Sequence, residues 1–350
     1  MPVAVTILFS MTIGLGTAIT FASSHWLLAW MGLEVSTLAV IPLMSRHHHP
    51  RATEAALKYF VVQATGTSLL LFASCSNAWH TGEWAIQQEE PGFMTTLVMF
   101  ALLLKLGLAP MHTWLPEVLQ GVDIRIALLL STWQKLAPLV LLMQVTPENS
   151  QVTVYCGLLS ILTAGWAGAN QTQLRKLLAY SSIAHLGWIV MVIPYSPSVA
   201  MLGTALYIAT SIAVFTILDS FEATTINSLT NAAMDMPMLI MAAYFVLFSL
   251  GSLPPLTGFM PKWLIMDEMA KQELAPLLTL ASLASLLGVF YYSRLIYIST
   301  LTMPPNTIAG APPWRLTSSK PTLAATIFTT VTLFLLPVTP LVATLISMNL

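Results

Sequence analysis

Residues 102–117 read Leu102-Leu103-Leu104-Lys105-Leu106-Gly107-Leu108-Ala109-Pro110-Met111-His112-Thr113-Trp114-Leu115-Pro116-Glu117. An apolar run carries a lysine and then meets two prolines, each of which removes a backbone donor and ends or kinks a helix. The pattern returns 145 residues further on as Leu253-Pro254-Pro255, five residues, then Pro261-Lys262, with Phe259 in the place of Trp114. Broken helices at membrane depth are tolerated only where they face protein or a wet cavity. Paired breaks at corresponding positions are the sequence mark of a transport path. Two proline-rich breaks can also match by coincidence, since proline is common in membrane helices.

The rest of the chain supports a membrane setting. Of its 350 residues, 56% are hydrophobic and 8% charged, against about 25% charged in a soluble domain. A span needs about 20 apolar residues. Eleven such runs are legible: 3–22, 26–44, 57–76, 93–109, 124–144, 152–168, 174–193, 199–218, 238–272, 274–299 and 322–347. The ninth reads as one helix broken at its prolines, and Pro110 and Pro116 break the fourth. The expected fold is an all-α integral membrane protein with about eleven transmembrane helices. The offset corresponds to five helices, an odd number, so the two copies run in opposite directions. This gives an inverted five-plus-five repeat with two broken helices, and a C-terminal helix. The expected divisions are 1–145, a first half-channel, 146–300, its inverted counterpart, and 301–350, a loop with the last helix.

Charge placement suggests orientation. On the side of the N-terminus lie Arg46, Arg51, Lys58, Arg125, Arg175, Lys176, Arg315 and Lys320, with Arg294 near its helix end. The other side carries Lys271 as its lysine and otherwise acids: Glu83, Glu89, Glu90, Glu148, Asp267, Glu268 and Glu273. The excess of basic residues places the N-terminal side in the cytoplasm-equivalent compartment. The stretch Met1-Pro2-Val3-Ala4-Val5 has neither the basic region of a signal peptide nor the Arg-rich pattern of a transit peptide, so the first run is expected to be a retained helix.

Four charges fall inside apolar runs: Glu34, Lys105, Lys135 and Lys262. A charge at the bilayer centre costs roughly 2.5–3.5 kcal/mol on insertion scales, and such residues mark proton or ion pathways. Burial favours a neutral lysine and a nearby carboxylate favours a charged one, so a lysine between these influences can exchange a proton near neutral pH. Arginine cannot do this. Glu34 is the natural partner for Lys105. The pair can be a switch or a static tie between helices, but three lysines cannot all pair with one glutamate. His112, inside the first break, and His185, in the middle of its run, are possible relay members because histidine titrates near neutrality. Each can equally be a hydrogen-bonded core residue.

Other chemistry finds no support. Cys75 and Cys156 are isolated and read as small apolar residues. His47-His48-His49 reads as a solvated loop without further metal ligands. There is no Walker motif, no dinucleotide fingerprint around Gly14-Leu15-Gly16, and no haem attachment site. A net charge of -1 argues against nucleic-acid binding.

Several segments carry a family resemblance: Trp30-Met31-Gly32-Leu33-Glu34, Leu104 to Glu117, Trp133-Gln134-Lys135-Leu136-Ala137-Pro138, Arg175 to His185, and Gly258-Phe259-Met260-Pro261-Lys262-Trp263. Together they resemble the mitochondrially encoded, antiporter-like membrane subunits of NADH:ubiquinone oxidoreductase, respiratory complex I, which are related to subunits of sodium/proton antiporters. The resemblance implies that Glu34 and Lys105 form the pair of one half-channel. It makes Lys135 the central lysine and Lys262 the ionisable residue of the second broken helix. It implies proton translocation driven by quinone reduction elsewhere, with no cofactor in this chain. NADH, FMN, iron–sulfur clusters and ubiquinone are expected in other subunits. The implied partners are neighbouring membrane-arm chains and lipids such as cardiolipin. The implied place is the inner mitochondrial membrane, with the N-terminus in the matrix and the C-terminus in the intermembrane space. The full family pattern has three more helices at its start, so this chain resembles the shortened animal form. The second half offers no glutamate matching Glu34, and His185 is its nearest ionisable residue.

Overall fold

The computed structural model describes residues 2–46, 49–86, 92–147, 150–235, 237–302, 323–340 and 344. Among them the regular structure is helical, and no strand forms. Arg315, Lys320, Glu89, Glu90, Glu148, His47 and His48 lie outside the described residues.

The chain divides into two compact units. The first holds Met1–Ser160 with Ile193–Pro197, and the second holds Ile161–Val192 with Ser198–Leu350. In the first unit, α1 (Val3–Ala22) and α2 (Trp26–Met44) match the apolar runs end to end. The His25 ring caps α2 by accepting from the Leu27 N–H at 3.2 Å. Helix α3 (Pro50–Thr81) has 32 residues and outgrows the expected run at both ends. Good helix formers such as Ala52, Ala55 and Ala56 extend it. At about 1.5 Å per residue it exceeds a hydrocarbon core of about 30 Å.

The fourth run divides into α4 (Phe93–Leu106) and α5 (Trp114–Gly121), with the break between them. The fifth also divides, which the sequence reading does not anticipate, into α6 (Ile124–Ser131) and α7 (Trp133–Val145). The hydroxyls of Ser131 and Thr132 both donate to the Leu128 carbonyl, at 3.0 and 2.7 Å. Such back-bonding competes with the helix ladder and bends it. Pro138, inside α7, removes one further ladder bond just after Lys135.

Helix α8 (Gln151–Gly168) runs across the boundary of the units. The second unit continues with α9 (Leu174–Val192), α10 (Pro197–Phe221), α11 (Ile226–Asp235), α12 (Pro237–Leu250), α13 (Phe259–Lys271), α14 (Ala275–Leu301) and α15 (Leu323–Phe334). Helix α11 falls between two apolar runs and was not expected. Two of its residues, Leu229 and Thr230, are buried. The ninth run, expected to be one broken helix over 238–272, is α12 and α13 separated by eight residues.

Among the described residues six stretches are long and apolar enough to cross a membrane, the α6–α7 run Ile124–Val145 being one of them, while Phe93–Leu106 and Leu239–Leu250 beside the proline breaks are shorter. Leu280, Leu283, Leu286 and Phe290 lie exposed along α14, as lipid or protein contact would require.

Candidate proton-relay site

Each break is built the same way. In the first, the Gly107 N–H donates to the Leu104 carbonyl at 3.0 Å and the Leu108 N–H to the Leu103 carbonyl at 3.0 Å. In the second, the Ser252 N–H donates to Ser249 at 2.8 Å and the Leu253 N–H to Phe248 at 3.2 Å. Both are Schellman closures, which satisfy carbonyls that a helix end otherwise leaves bare. The turning residue is left-handed in each, with φ 75° at Gly107 and φ 59° at Ser252. Both breaks also contain a cis X–Pro bond, Ala109–Pro110 and Pro254–Pro255. All these positions keep the 145-residue offset, so the repeat extends from the sequence to the hydrogen-bond pattern.

The fastening differs between the two. The Trp114 indole Nε1–H donates to the Leu104 carbonyl at 3.2 Å. Phe259 stands at the matching position and has no donor to offer. There the Gly258 N–H donates to Ser249 Oγ at 3.2 Å, and Thr257 Oγ1 lies 3.4 Å from the same oxygen. Thr257 also donates to the Thr332 carbonyl of α15.

In the first unit a cavity opens beside this break. Its walls include Tyr59 and Gln63 of α3, Lys105 of α4, Trp114 of α5, and Gln134 and Lys135 of α7. Lys105 and Lys135 are 4% and 5% exposed, so both lysines are buried and face the same cavity. Glu34 does not line it, although Leu33, Ser36 and Thr37 of the same helix do. One of its oxygens, Oε2, is buried without a hydrogen-bond partner among the described residues. Glu34 is near enough to act electrostatically on both Lys105 and Tyr59. Among the described residues no direct ion pair joins Glu34 and Lys105; the Lys105 ammonium donates to Gln63 Oε1 at 3.5 Å. His112 does not reach this cavity. It sits half-buried in the break, with Nδ1 unpartnered among the described residues.

The second unit brings His185 and Lys262 to the walls of the same cavities, with Trp188 and Leu250. The His185 ring lies 5.9 Å from that of Tyr207. The Trp188 Nε1–H is buried beside them with no partner among the described residues. Lys105 ends α4 before its break, whereas Lys262 lies in α13 after its own break. By the repeat offset Lys105 matches Leu250, and Lys262 matches Glu117. The two lysines serve similar cavities from opposite sides of the joint.

Polar neighbours that sequence reading passed over complete the first site. Tyr59, Gln63 and Gln134 are neutral residues within apolar helices and carry no charge to single them out. What marks them is their place beside a lysine, seen only once the helices pack.

Each of the two units carries a helix break and a lysine-lined cavity. A family model described as "NADH:quinone oxidoreductase/Mrp antiporter, TM" matches residues 23–288, and one described as "NADH dehydrogenase subunit 2 C-terminus" matches residues 289–343. The chain belongs to the NADH-ubiquinone oxidoreductase chain 2 family. The protein of that name from Salmo salar is 54% identical over 348 residues, 99% of each chain. The one from Tetraodon nigroviridis is 52% identical over 333 residues, 95% of this chain and 96% of the relative. Among solved structures, a chain of respiratory complex I from Thermus thermophilus with bound aureothin is similar, with TM-score 0.84 and 26% identity. The match covers 97% of this chain and 79% of that one. A chain of the Mrp complex from Dietzia sp. shares the fold, with TM-score 0.82 and 16% identity. The family resemblance drawn from the motifs is borne out.

Proposed function

We propose that this chain is a core membrane-arm subunit of NADH:ubiquinone oxidoreductase in the inner mitochondrial membrane. It contributes to proton translocation coupled to electron transfer from NADH to ubiquinone. The observation that carries this reading is the pair of buried lysines, Lys105 and Lys135, facing one cavity beside a broken helix. Two lysines in one cavity repel when both are charged, so a proton arriving at one favours release from the other. Lys262 and His185 form the second station. Glu34 supplies the negative charge that couples the first station to conformational change. In this reading residues 1–145 and 146–300 work as two half-channels, with 301–350 as an appended segment.

No redox step falls to this chain. NADH, FMN, the iron–sulfur clusters and ubiquinone belong to other subunits, and neighbouring antiporter-like chains and lipids such as cardiolipin contact the outer apolar faces. The basic residues of the N-terminal side support an N-terminus in the matrix and a C-terminus in the intermembrane space.

The test is the number of protons moved per NADH oxidised by membrane vesicles carrying the assembled complex. Glu34→Gln and Lys262→Met are each expected to lower proton translocation by about tenfold, the scale of losing a positioned acid or base. Unchanged stoichiometry and rate in both variants rejects the relay and leaves a scaffold role.

A further inference from the structure

Gln63 lines the first cavity beside Lys105 and Lys135. It is 5% exposed in the middle of α3. Its Oε1 accepts from the Lys105 ammonium at 3.5 Å, and its Nε2–H donates to the Lys105 backbone carbonyl at 3.4 Å. The amide therefore grips both ends of one residue. Among the described residues this is the hydrogen bond that the Lys105 ammonium makes, while Glu34 Oε2 remains buried and empty.

We propose that Gln63 is a positioning residue that parks the Lys105 ammonium away from Glu34 and so sets when that lysine exchanges its proton. The inference rests on the relay reading of Lys105 given above. A neutral amide suits this task. It offers an oxygen to the ammonium without a countercharge, and at 3.5 Å the contact is longer than the usual range of about 2.7–3.2 Å, so the bond is weak. Its own donor bond fixes which way the amide oxygen points, so the parking position is defined although the hold is light. The competing position is Glu34 Oε2, a carboxylate oxygen, which when ionised is a stronger acceptor than an amide. Two acceptors of unequal strength around one flexible lysine make a two-position element, and a small movement of α2 against α3 selects between them. The other titratable groups facing Lys105 are Tyr59 from α3 and Lys135 from α7. Lys135 repels the charged lysine, which makes the parked position easier to leave.

Substitutions in the assembled complex separate positioning from packing. Gln63→Leu removes the parking oxygen, and Gln63→Glu, equal in size, replaces it with a charged one that holds the ammonium. Each is expected to lower proton translocation per assembled complex by about tenfold. Because the effect passes through Lys105, Gln63→Leu combined with Lys105→Met should be no slower than Lys105→Met alone, a non-additivity that a packing role would not produce. Additive losses overturn the inference while leaving the relay reading intact. A normal rate for Lys105→Met removes the relay reading itself. Where Lys105→Met leaves too little rate to compare, Gln63→Glu decides, and a wild-type rate in that variant overturns the proposal.

Discussion

Lys105→Met is expected to lower NADH-driven proton translocation by at least about tenfold while the complex still assembles. The argument begins with shape. Methionine is close to lysine in length and flexibility, so it fills the space that the lysine stem occupies between α3 and α4. Among the described residues the lost ammonium makes one long hydrogen bond, to Gln63 at 3.5 Å, so little folding energy goes with it. No direct ion pair among them is broken, and breaking such a pair is what makes the loss of one buried charge costly. Chemistry bears the loss instead. Without Lys105 the first cavity keeps one lysine, Lys135, and the repulsion that the proposed relay uses to drive release at one site when the other fills is gone. The measurement is proton uptake into inverted vesicles per NADH oxidised, normalised to complex on a native gel. Full translocation with normal assembly would make Lys105 a structural residue.

The second large effect lies in the joint of the other unit. Gly258→Ala is expected to destabilise the second break by about 3 kcal/mol or more, the upper range of overpacking. A Cβ at this position would run into the backbone carbonyl of Ser249, and backbone cannot step aside as a flexible side-chain end can. The same residue donates its N–H to Ser249 Oγ, so relief of the clash breaks the bond that fastens the joint. Gly14→Ala is the matched control. Gly14 lies inside α1 with nothing within 4 Å of an added Cβ. There the change should stabilise the helix by about 1 kcal/mol. Loss of assembled complex on mild heating should therefore separate the two alanines, and equal behaviour would refute the packing argument.

Much of the fold could be read from the chain because bilayer-length apolar runs are a strong signal. Helices α1 and α2 begin and end where the runs do. The breaks were legible because proline and glycine carry backbone meaning in themselves. Other features depend on neighbours that no local pattern reveals. The bend at Thr132 comes from two hydroxyls turning back on one carbonyl, inside a run that reads as continuous. Helix α11 is short and rich in Asn, Ser and Thr, so it resembles a loop until Leu229 is seen buried. In the site, charge made the lysines conspicuous, while Gln63 and Gln134 stayed hidden as neutral residues among apolar ones. The Glu34–Lys105 pairing followed from charge alone, which cannot foresee that an amide would reach the ammonium first.

The matched closures at Gly107 and Ser252 also bear on how the two units compare. The side chains around the two turning points differ, yet their hydrogen bonds have identical spacing. Meanwhile a lysine stands ahead of the joint in one copy and behind it in the other. The backbone of the joint thus has one form in both units, while the charged side chains are seated differently around it. The two units should therefore be aligned by their joints first, with the charges then sought on either side.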